Sequence, residues 1–443
     1  MKPMISRPTG PLAGAVTVPG DKSISHRALI LGASAIGETA ISGLLEAEDV
    51  LATAEAMRRL GADVSRSSEG WRIFGRGVGG FAEPGSVLDM GNSGTGARLV
   101  IGLVASHPFT SFFSGDASLS ARPMKRVIEP LRRVGATFWS RSGGRLPLAV
   151  RGAADPLPIV YTLPVASAQV KSAILLAGLN APGTTTVVEP QPTRDHTEAM
   201  LCHFGAEVET ETLADGGRRI TLVGQPELTG REVVVPGDFS SAAFPLVAAS
   251  LIPGSRVTLR NVGVNPLRTG LLETLGDMGA RISVTNRRVQ AGQPVADLIV
   301  EASSLEGVEV PAGRVPAMID EFPVLAAAAA CANGVTRMQG LAELRVKESD
   351  RLAAIARGLT ACGIRVEIGE DWLVVHGAGG APPGGGQVTA NMDHRIAMAF
   401  LVLGMACRAP VRIDDAESIA TSFPSFVTLM NGLGARTEET PAD

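Results

Sequence analysis

Two stretches share one plan: "VTVPGDKSISHRALILGAS" (Val16–Ser34) and "VVVPGDFSSAAFPLVAAS" (Val233–Ser250). Each runs from β-branched residues through Pro-Gly-Asp into a segment rich in Ala and Leu. That is the pattern of a strand, a tight turn and a helix apolar nearly all round, which must be buried on most of its sides. The two copies lie about half the chain apart. Four further segments repeat the plan: "VLDMGNSGTGARLVIGLVAS", "YTLPVASAQVKSAILLAGL", "VEVPAGRVPAMIDEFPVLAAAAA" and "VTANMDHRIAMAFLVLGMA".

A second signal interleaves with the first. An apolar residue or Cys, then Gly, then Ala or Ile follows a helix-like segment at Gly61, Gly135, Gly205, Gly279, Gly363 and Gly434. The steps between these glycines run from 70 to 84 residues. "LATAEAMRRLGADV" and "LLETLGDMGARISV" are clear cases. A glycine there suits the left-handed residue that ends a helix, and the residues after it suit a strand. Each unit therefore reads as strand, buried helix, strand, exposed helix, strand. Six such units make two halves of three. "GAGGAPPGGG" from Gly377 is the one low-complexity loop and reads as flexible.

Bulk composition narrows the function. A chain of 443 residues exceeds one ordinary core, and 45% hydrophobic residues is globular composition. Aromatics make up only 4%, so Ala, Val, Leu and Ile must build the core. A net charge of −4 argues against general binding to nucleic acid or anionic membranes, so any anion site must be a local gathering of Lys and Arg. Cys202, Cys331, Cys362 and Cys407 show no CxxC pair and read as buried thiols in a reducing compartment. The amino end lacks an apolar signal core, and no uncharged run reaches the ~20 residues of a membrane span. A soluble, cytoplasmic chain is the expectation.

The repeat also supplies a control. Features common to the copies serve folding; polar residues confined to one copy need another reason. By that test "KSISHR", "GNSGTGAR", "SAQVK", "MIDEF" and "DHR" stand out, all where a strand ends and a buried helix begins. Backbone N–H groups and the helix dipole favour an anion there. Lys22 and Arg27 add charge, and Ser23 adds a donor. "GNSGTGAR" (Gly91–Arg98) is glycine-rich, but matches neither the Walker A pattern nor the dinucleotide fingerprint. "SLSARPMKR" groups Arg122, Lys125 and Arg126. Ser167, Gln169 and Lys171 offer directional hydrogen bonds. In "RVKESDR" (Arg345–Arg351) a helix would place Lys347 and Arg351 on one face, with Glu348 free to pair with one of them. Asp320 and Glu321 fall in an otherwise apolar segment, where a carboxylate is desolvated or paired. "DHR" adds Asp393, His394 and Arg395. No metal-binding spacing and no nucleophile elbow is present. The residues alone predict a pocket for a polyanionic small molecule, with carboxylates available for acid–base work.

Taken in order, "GDKSISHR", "GNSGTGAR", "ARPM", "SAQVK", "RDHTE", "RVKESDR" and "DHRIAM" resemble the 5-enolpyruvylshikimate-3-phosphate synthase family along essentially the whole chain. The resemblance implies an α/β fold of two domains, each of three βαβαββ repeats with buried parallel helices, an inside-out α/β barrel. It implies one domain from residues 1–20 and 238–443 and another from 21–237, with hinges near 20–21 and 237–238. The implied reaction moves the enolpyruvyl group of phosphoenolpyruvate to the 5-hydroxyl of shikimate 3-phosphate, with release of phosphate. Carried over by motif, Lys22, Ser23, Arg27, Ser167, Ala168, Gln169, Arg194, Asp320 and Lys347 bind shikimate 3-phosphate. Lys22, Asn92, Gly94, Arg122, Gln169, Arg351 and Arg395 bind phosphoenolpyruvate. Asp320 is the candidate base at the hydroxyl, with Glu348 and Lys22 both candidates for the proton steps at the methylene carbon. No metal or organic cofactor is implied, and a monomer is expected.

The "SAQVK" and "RDHTE" forms resemble the family's second, glyphosate-tolerant class. Two departures bear on that inhibitor. Thr421, in "TSFP", stands where one branch of the family has lysine, and Gly94 stands where some tolerant members have alanine. Partial glyphosate sensitivity follows. "NPLR" (Asn265–Arg268) also departs from the Asn-Pro-Thr-Arg frequent in that class. Two alternatives are a UDP-N-acetylglucosamine enolpyruvyl transferase and a non-catalytic phosphometabolite-binding scaffold. Against the first, "SLSARPMKR" lacks the reactive cysteine typical of those enzymes; against the second, Asp320 and Glu348 are retained.

Overall fold

The computed structural model describes residues 2–440. It separates into two compact units. Unit N holds Gly20–Pro236 and Val289–Gln293; unit C holds the chain through Pro19, Gly237–Arg288 and everything from Pro294 onward. The chain therefore changes unit at 19/20, 236/237, 288/289 and 293/294.

The architecture is mixed α/β. Among the described residues there are six four-stranded sheets, three in each unit. Every sheet sets a parallel pair at one edge and an antiparallel neighbour next to it. In one, Leu88–Asp89 runs parallel to Thr110–Ser114, which runs antiparallel to Arg145–Arg151, and Thr137–Arg141 completes the sheet. The residue pattern alone predicts one strand fewer per repeat; the βαβαββ unit implied by the family resemblance has the observed four. The extra strand is the second arm of the antiparallel hairpin that follows the exposed helix, as in Gly70–Phe74 after Asp63–Ser67 and Arg218–Val223 after Val208–Thr212.

Some sheets are completed from far along the chain. Glu232–Val234 pairs in parallel with Glu38–Ser42, and Ala13–Val16 with Arg256–Gly263. Met4–Arg7 lies antiparallel between Val411–Ile413 and Arg436–Glu439.

The six Ala/Leu-rich segments form helices Lys22–Ser34, Gly94–Val104, Ala168–Gly178, Phe239–Leu251, Phe322–Cys331 and His394–Ala406. Nearly every residue beyond their first turns is buried. Helices of unit N pack on one another, as do those of unit C, and each unit has one continuous apolar core. At each buried helix's start stands a polar residue: Asp21, Ser93, Ser167, Asp238, Glu321 or Asp393. All but Glu321 cap the helix by accepting a backbone N–H.

The other helices end as the glycine signal predicts. Gly61, Gly135, Gly205, Gly279, Gly363 and Gly434 all have positive φ, from 78° to 112°. The longest step, from Gly279 to Gly363, contains the two longest strands, Arg281–Gln290 and Gln293–Glu301. Their connecting tip is the Val289–Gln293 segment that groups with unit N.

Two expectations fail. The loop from Gly377 is held by backbone hydrogen bonds: Gly377, Ala378, Gly379 and Gly380 donate to Gly334, Ala330, Ala332 and Cys331, and Pro382 and Pro383 accept from Arg408 and Ala409. Glycine and proline here shape a fixed path rather than a loose one. Cys202 is exposed, because it lies on the outer face of the His196–Phe204 helix; Cys362 and Cys407 are buried and Cys331 partly so. No helix of the described residues is long and apolar enough to cross a membrane.

Small residues let the buried helices touch backbone to backbone. A Cβ on Gly102 would stand 2.5 Å from the Ala173 carbonyl oxygen and 2.6 Å from its Cα. Alanine is the better helix former by about 0.5–1 kcal/mol, yet backbone atoms cannot yield. Gly102→Ala should therefore destabilise unit N by about 1–3 kcal/mol, read as a lower urea midpoint with an unchanged slope; an unchanged or raised midpoint would contradict this packing.

Candidate active site

The first turns of the buried helices gather most of the unusual polar residues. In unit N, Lys22 opens the Lys22–Ser34 helix and pairs with Asp49 on the neighbouring Glu48–Arg59 helix. Ser23 is half-buried beside it. Arg27 points inward: its Nε donates to Thr197 Oγ1 at 2.7 Å, Nη2 to Ser172 Oγ at 2.7 Å, and Nη1 to the Ser23 carbonyl at 2.8 Å. One guanidinium thus ties three helices together. Burial pushes it down to about 10, with Glu198 opposing that shift and Arg194 adding to it. Arg194 therefore lies close enough to act on Arg27 and on His196.

The glycine-rich turn forms the start of Gly94–Val104. Arg122 donates to Asn92 Oδ1 and Ser118 Oγ, both at 3.0 Å, and Asn92 donates to Asp116 at 2.7 Å. Arg98 donates to Gln169 Oε1 at 2.7 Å and to the Gly94 carbonyl at 3.3 Å, while Gln169 Nε2 donates to Thr95 Oγ1 at 2.9 Å. Gly94 therefore sits beneath two guanidinium tips: an added Cβ would be 3.0 Å from Arg122 Nη1 and 3.1 Å from Arg98 Nη1. Ser167 caps its helix, with Ala168 and Gln169 next to it partly exposed. Lys171 is fully buried and paired with Glu189 at 2.9 Å and Glu198 at 2.7 Å, which separates it from its exposed neighbours in "SAQVK".

Arg351 is the centre of the cluster in unit C. Its side chain is 0% exposed and is ringed by Asp393 at 2.8 Å, Asp320 at 3.2 Å and Glu348 at 2.5 Å. Burial opposes its charge, but Asp393, Glu348 and Asp320 outweigh burial and raise its pKa above the ordinary range. Lys347 Nζ stands 3.5 Å from the same Asp320 oxygen. The predicted shared helix face is not how they meet. Lys347 follows the Ala342–Val346 turn, and the helix begins only at Arg351, capped by Asp350. Arg395 Nη1 donates to the Asp320 carbonyl at 3.2 Å, and Asp393 accepts the Arg395 backbone N–H at 3.0 Å.

Within unit N, Lys22, Ser23, Asn92, Gly94, Ser167, Ala168, Gln169 and Arg194 thus lie in or just ahead of helix first turns, whereas Arg27 stands a turn further along its helix and Arg122 closes the short Ala117–Ala121 helix. Within unit C, Asp320, Lys347, Glu348, Arg351 and Arg395 form one connected network. Arg98, Asp49, Glu321 and Arg268 join these clusters without having been singled out as ligand-binding. Arg98 had a signal, since it is the one cation on an otherwise apolar helix. Asp49 had none, because an acidic residue in a helix's first turn is ordinary. Among the described residues no group of three or more His, Cys, Asp or Glu is placed to hold a metal ion.

The chain matches the family described as EPSP synthase (3-phosphoshikimate 1-carboxyvinyltransferase) over residues 6–430. The chain belongs to the EPSP synthase family. Family relatives named 3-phosphoshikimate 1-carboxyvinyltransferase include one from Paramagnetospirillum magneticum, 66% identical over 98% of each chain. Another, from Rhodospirillum rubrum, is 61% identical over 98% of this chain and 97% of its own. The solved EPSP synthase of Acinetobacter baumannii superposes with a TM-score of 0.89 at 45% identity, covering both chains fully. The enolpyruvyl transferase NikO of Streptomyces tendae, at 20% identity and a TM-score of 0.79, shares the fold.

Two buried histidines give the unit N cluster a pH signature. His26 contacts Thr53 at 2.8 Å and is kept neutral by burial, then by Lys22 and Arg27. His196 contacts Gln293 at 2.7 Å and is pushed down to about 3 by burial, with Arg27 and Arg194 adding to the shift. A folded pKa below the unfolded value of about 6.5 adds stability at neutral pH that is lost as pH falls through that value towards the folded one. Urea unfolding from pH 7.5 to 4.5 should show a steeper loss for the wild type than for His196→Gln; parallel slopes would count against a buried neutral imidazole.

Proposed function

We propose that this chain transfers the enolpyruvyl group of phosphoenolpyruvate to the 5-hydroxyl of shikimate 3-phosphate and releases phosphate, as a step of the shikimate pathway to aromatic amino acids. The observation that carries the reading is Asp320, a carboxylate flanked by Lys347 and Arg351 at a buried helix's start, in a chain that matches the family nearly end to end.

Lys22, Ser23, Arg27, Ser167, Ala168, Gln169, Arg194, Asp320 and Lys347 bind shikimate 3-phosphate in this reading. Lys22, Asn92, Gly94, Arg122, Gln169, Arg351 and Arg395 bind phosphoenolpyruvate. The two substrates together bring two phosphates and two carboxylates, which matches the concentration of arginine and lysine in an acidic chain. Arg27 and Arg351 already have partners within the protein, so they act as fixed charges whose direction is set before a ligand arrives. An anion at Arg351 replaces Asp320 and Glu348 there while Asp393 keeps the guanidinium in place. Binding thereby releases the two carboxylates that the chemistry uses.

Asp320 accepts the proton of the 5-hydroxyl as its oxygen attacks the central carbon of phosphoenolpyruvate. The methylene carbon takes a proton, with Lys22 and Glu348 as the candidate donors. The tetrahedral intermediate then expels phosphate and loses a proton from the new methyl group, which restores the vinyl group. Fixed charges on both substrates hold repelling anions in contact, so orientation supplies part of the rate.

A phosphate-release assay tests the reading directly. Phosphate should appear with shikimate 3-phosphate and phosphoenolpyruvate, and not when UDP-N-acetylglucosamine is the acceptor; the reverse would assign the other transferase. Asp320→Asn should lower kcat by about 100-fold or more, and retained turnover would remove Asp320 from the base role.

Gly94 connects the reading to glyphosate, and the chain is proposed to be partly sensitive to it. A methyl group on residue 94 would press on Arg122 and Arg98 and move the guanidiniums proposed to face phosphoenolpyruvate. Gly94→Ala should raise the glyphosate inhibition constant at least tenfold, and more than it raises the KM for phosphoenolpyruvate, because the larger ligand tolerates the loss of space less. An unchanged inhibition constant would contradict the steric account.

A further inference from the structure

The second Pro-Gly-Asp turn does more than start a helix. Asp238 and Ser240 belong to a buried charge network with Arg268 and Glu321, all within unit C. Glu321 is 1% exposed and Arg268 5%. Arg268 Nη1 meets both Glu321 oxygens, at 3.1 and 3.0 Å, Ser240 Oγ donates to Glu321, and Arg268 Nη2 donates to Ser240. Asp238 Oδ1 lies 3.6 Å from Arg268 while it caps the Phe239–Leu251 helix.

The same carboxylate has one further ionic partner among the described residues. Arg395 Nη1 stands 3.6 Å from Glu321 Oε1, beyond hydrogen-bond distance, and donates instead to the Asp320 carbonyl at 3.2 Å. A buried carboxylate must be compensated. Arg268 and Ser240 supply that compensation at close range, so Glu321 does not need Arg395. Without Arg268, the nearest cation is Arg395, and a shift of under 1 Å would turn the loose ion pair at 3.6 Å into a hydrogen-bonded one.

We infer that Arg268 is a positioning residue: by satisfying Glu321, it keeps Arg395 from collapsing onto that carboxylate and leaves its guanidinium directed at the anionic substrate. The inference rests on the proposed contact of Arg395 with phosphoenolpyruvate. It also accounts for the polar residues Asp238 and Ser240 in a turn that lacks the cations of its twin, and for an arginine retained in "NPLR".

The test compares Arg268→Met, Glu321→Gln, the double variant Arg268→Met/Glu321→Gln and Arg395→Gln. Each is assayed for kcat, KM for each substrate, and urea stability. Arg268→Met should raise the KM for phosphoenolpyruvate by about tenfold while the KM for shikimate 3-phosphate stays within about twofold. The double variant removes both charges together, so it should fold and bring the phosphoenolpyruvate KM back to within about threefold of wild type. Arg268→Lys, which keeps charge but loses the two-pronged contact, should fall between wild type and Arg268→Met.

A destabilised Arg268→Met with an unchanged KM, an equal rise in both KM values, or a double variant as impaired as Arg268→Met would each overturn the inference. If Arg268→Met does not fold, the double and lysine variants decide on the same criteria. Arg395→Gln separates the two layers. If it leaves the KM for phosphoenolpyruvate unchanged, the underlying assignment of Arg395 fails; if it raises that KM and the Arg268 variants do not, only the positioning role fails.

Discussion

A helix enclosed on all sides can carry charge only where its end reaches a polar environment, or where a partner of opposite charge is buried with it. Six helices here are enclosed in that way, and the rule sorts their polar residues. Lys171, in one of them, and Arg351, at the start of the Arg351–Ala361 helix, are buried and each is matched by more than one carboxylate. Lys22, Asn92, Gln169, Asp320 and Arg395 stand in the first turns or just ahead of them. The fold thereby concentrates donors, dipoles and charges at one end of each helix in a chain whose net charge is −4.

The charges at those ends are already engaged. Lys22 has Asp49, Lys347 has Asp320, Arg351 has three carboxylates, and Arg27 has two hydroxyls and a carbonyl. These partners fix the direction of long flexible side chains, which lowers the entropy lost when a ligand binds. In the proposed reading they also set a threshold, since only a strongly anionic ligand competes with the carboxylates around Arg351.

Much of this was legible in the residues. The six helix-ending glycines require positive φ, and such a requirement is local, so each could be read from its neighbours. The six buried helices were legible because enclosure forces an apolar sequence. Pairing between distant segments was not. Nothing in "MISR" says that it inserts between strands hundreds of residues later, and the longest glycine step gave no sign by itself that a long hairpin fills it. Lys347 was misplaced because four-residue spacing implies a common face only inside a helix, and the chain turns before Asp350 caps the next one. The loop from Gly377 read as flexible because composition shows backbone freedom, not which carbonyls will take that freedom away. Glu321 read correctly as a carboxylate needing a partner, but the partner, Arg268, is brought to it only by tertiary packing.

The placement of Met4–Arg7 between Val411–Ile413 and Arg436–Glu439 sets an order of events during synthesis. Met4–Arg7 must wait, unpaired, through the synthesis of roughly 400 residues until Val411–Ile413 and Arg436–Glu439 emerge. Unit N needs little beyond Pro236 to close its three sheets, so its core can condense while the remainder is still being translated. Met4–Arg7 is then a held-back inner strand, and the arrival of Arg436–Glu439 completes its sheet in unit C.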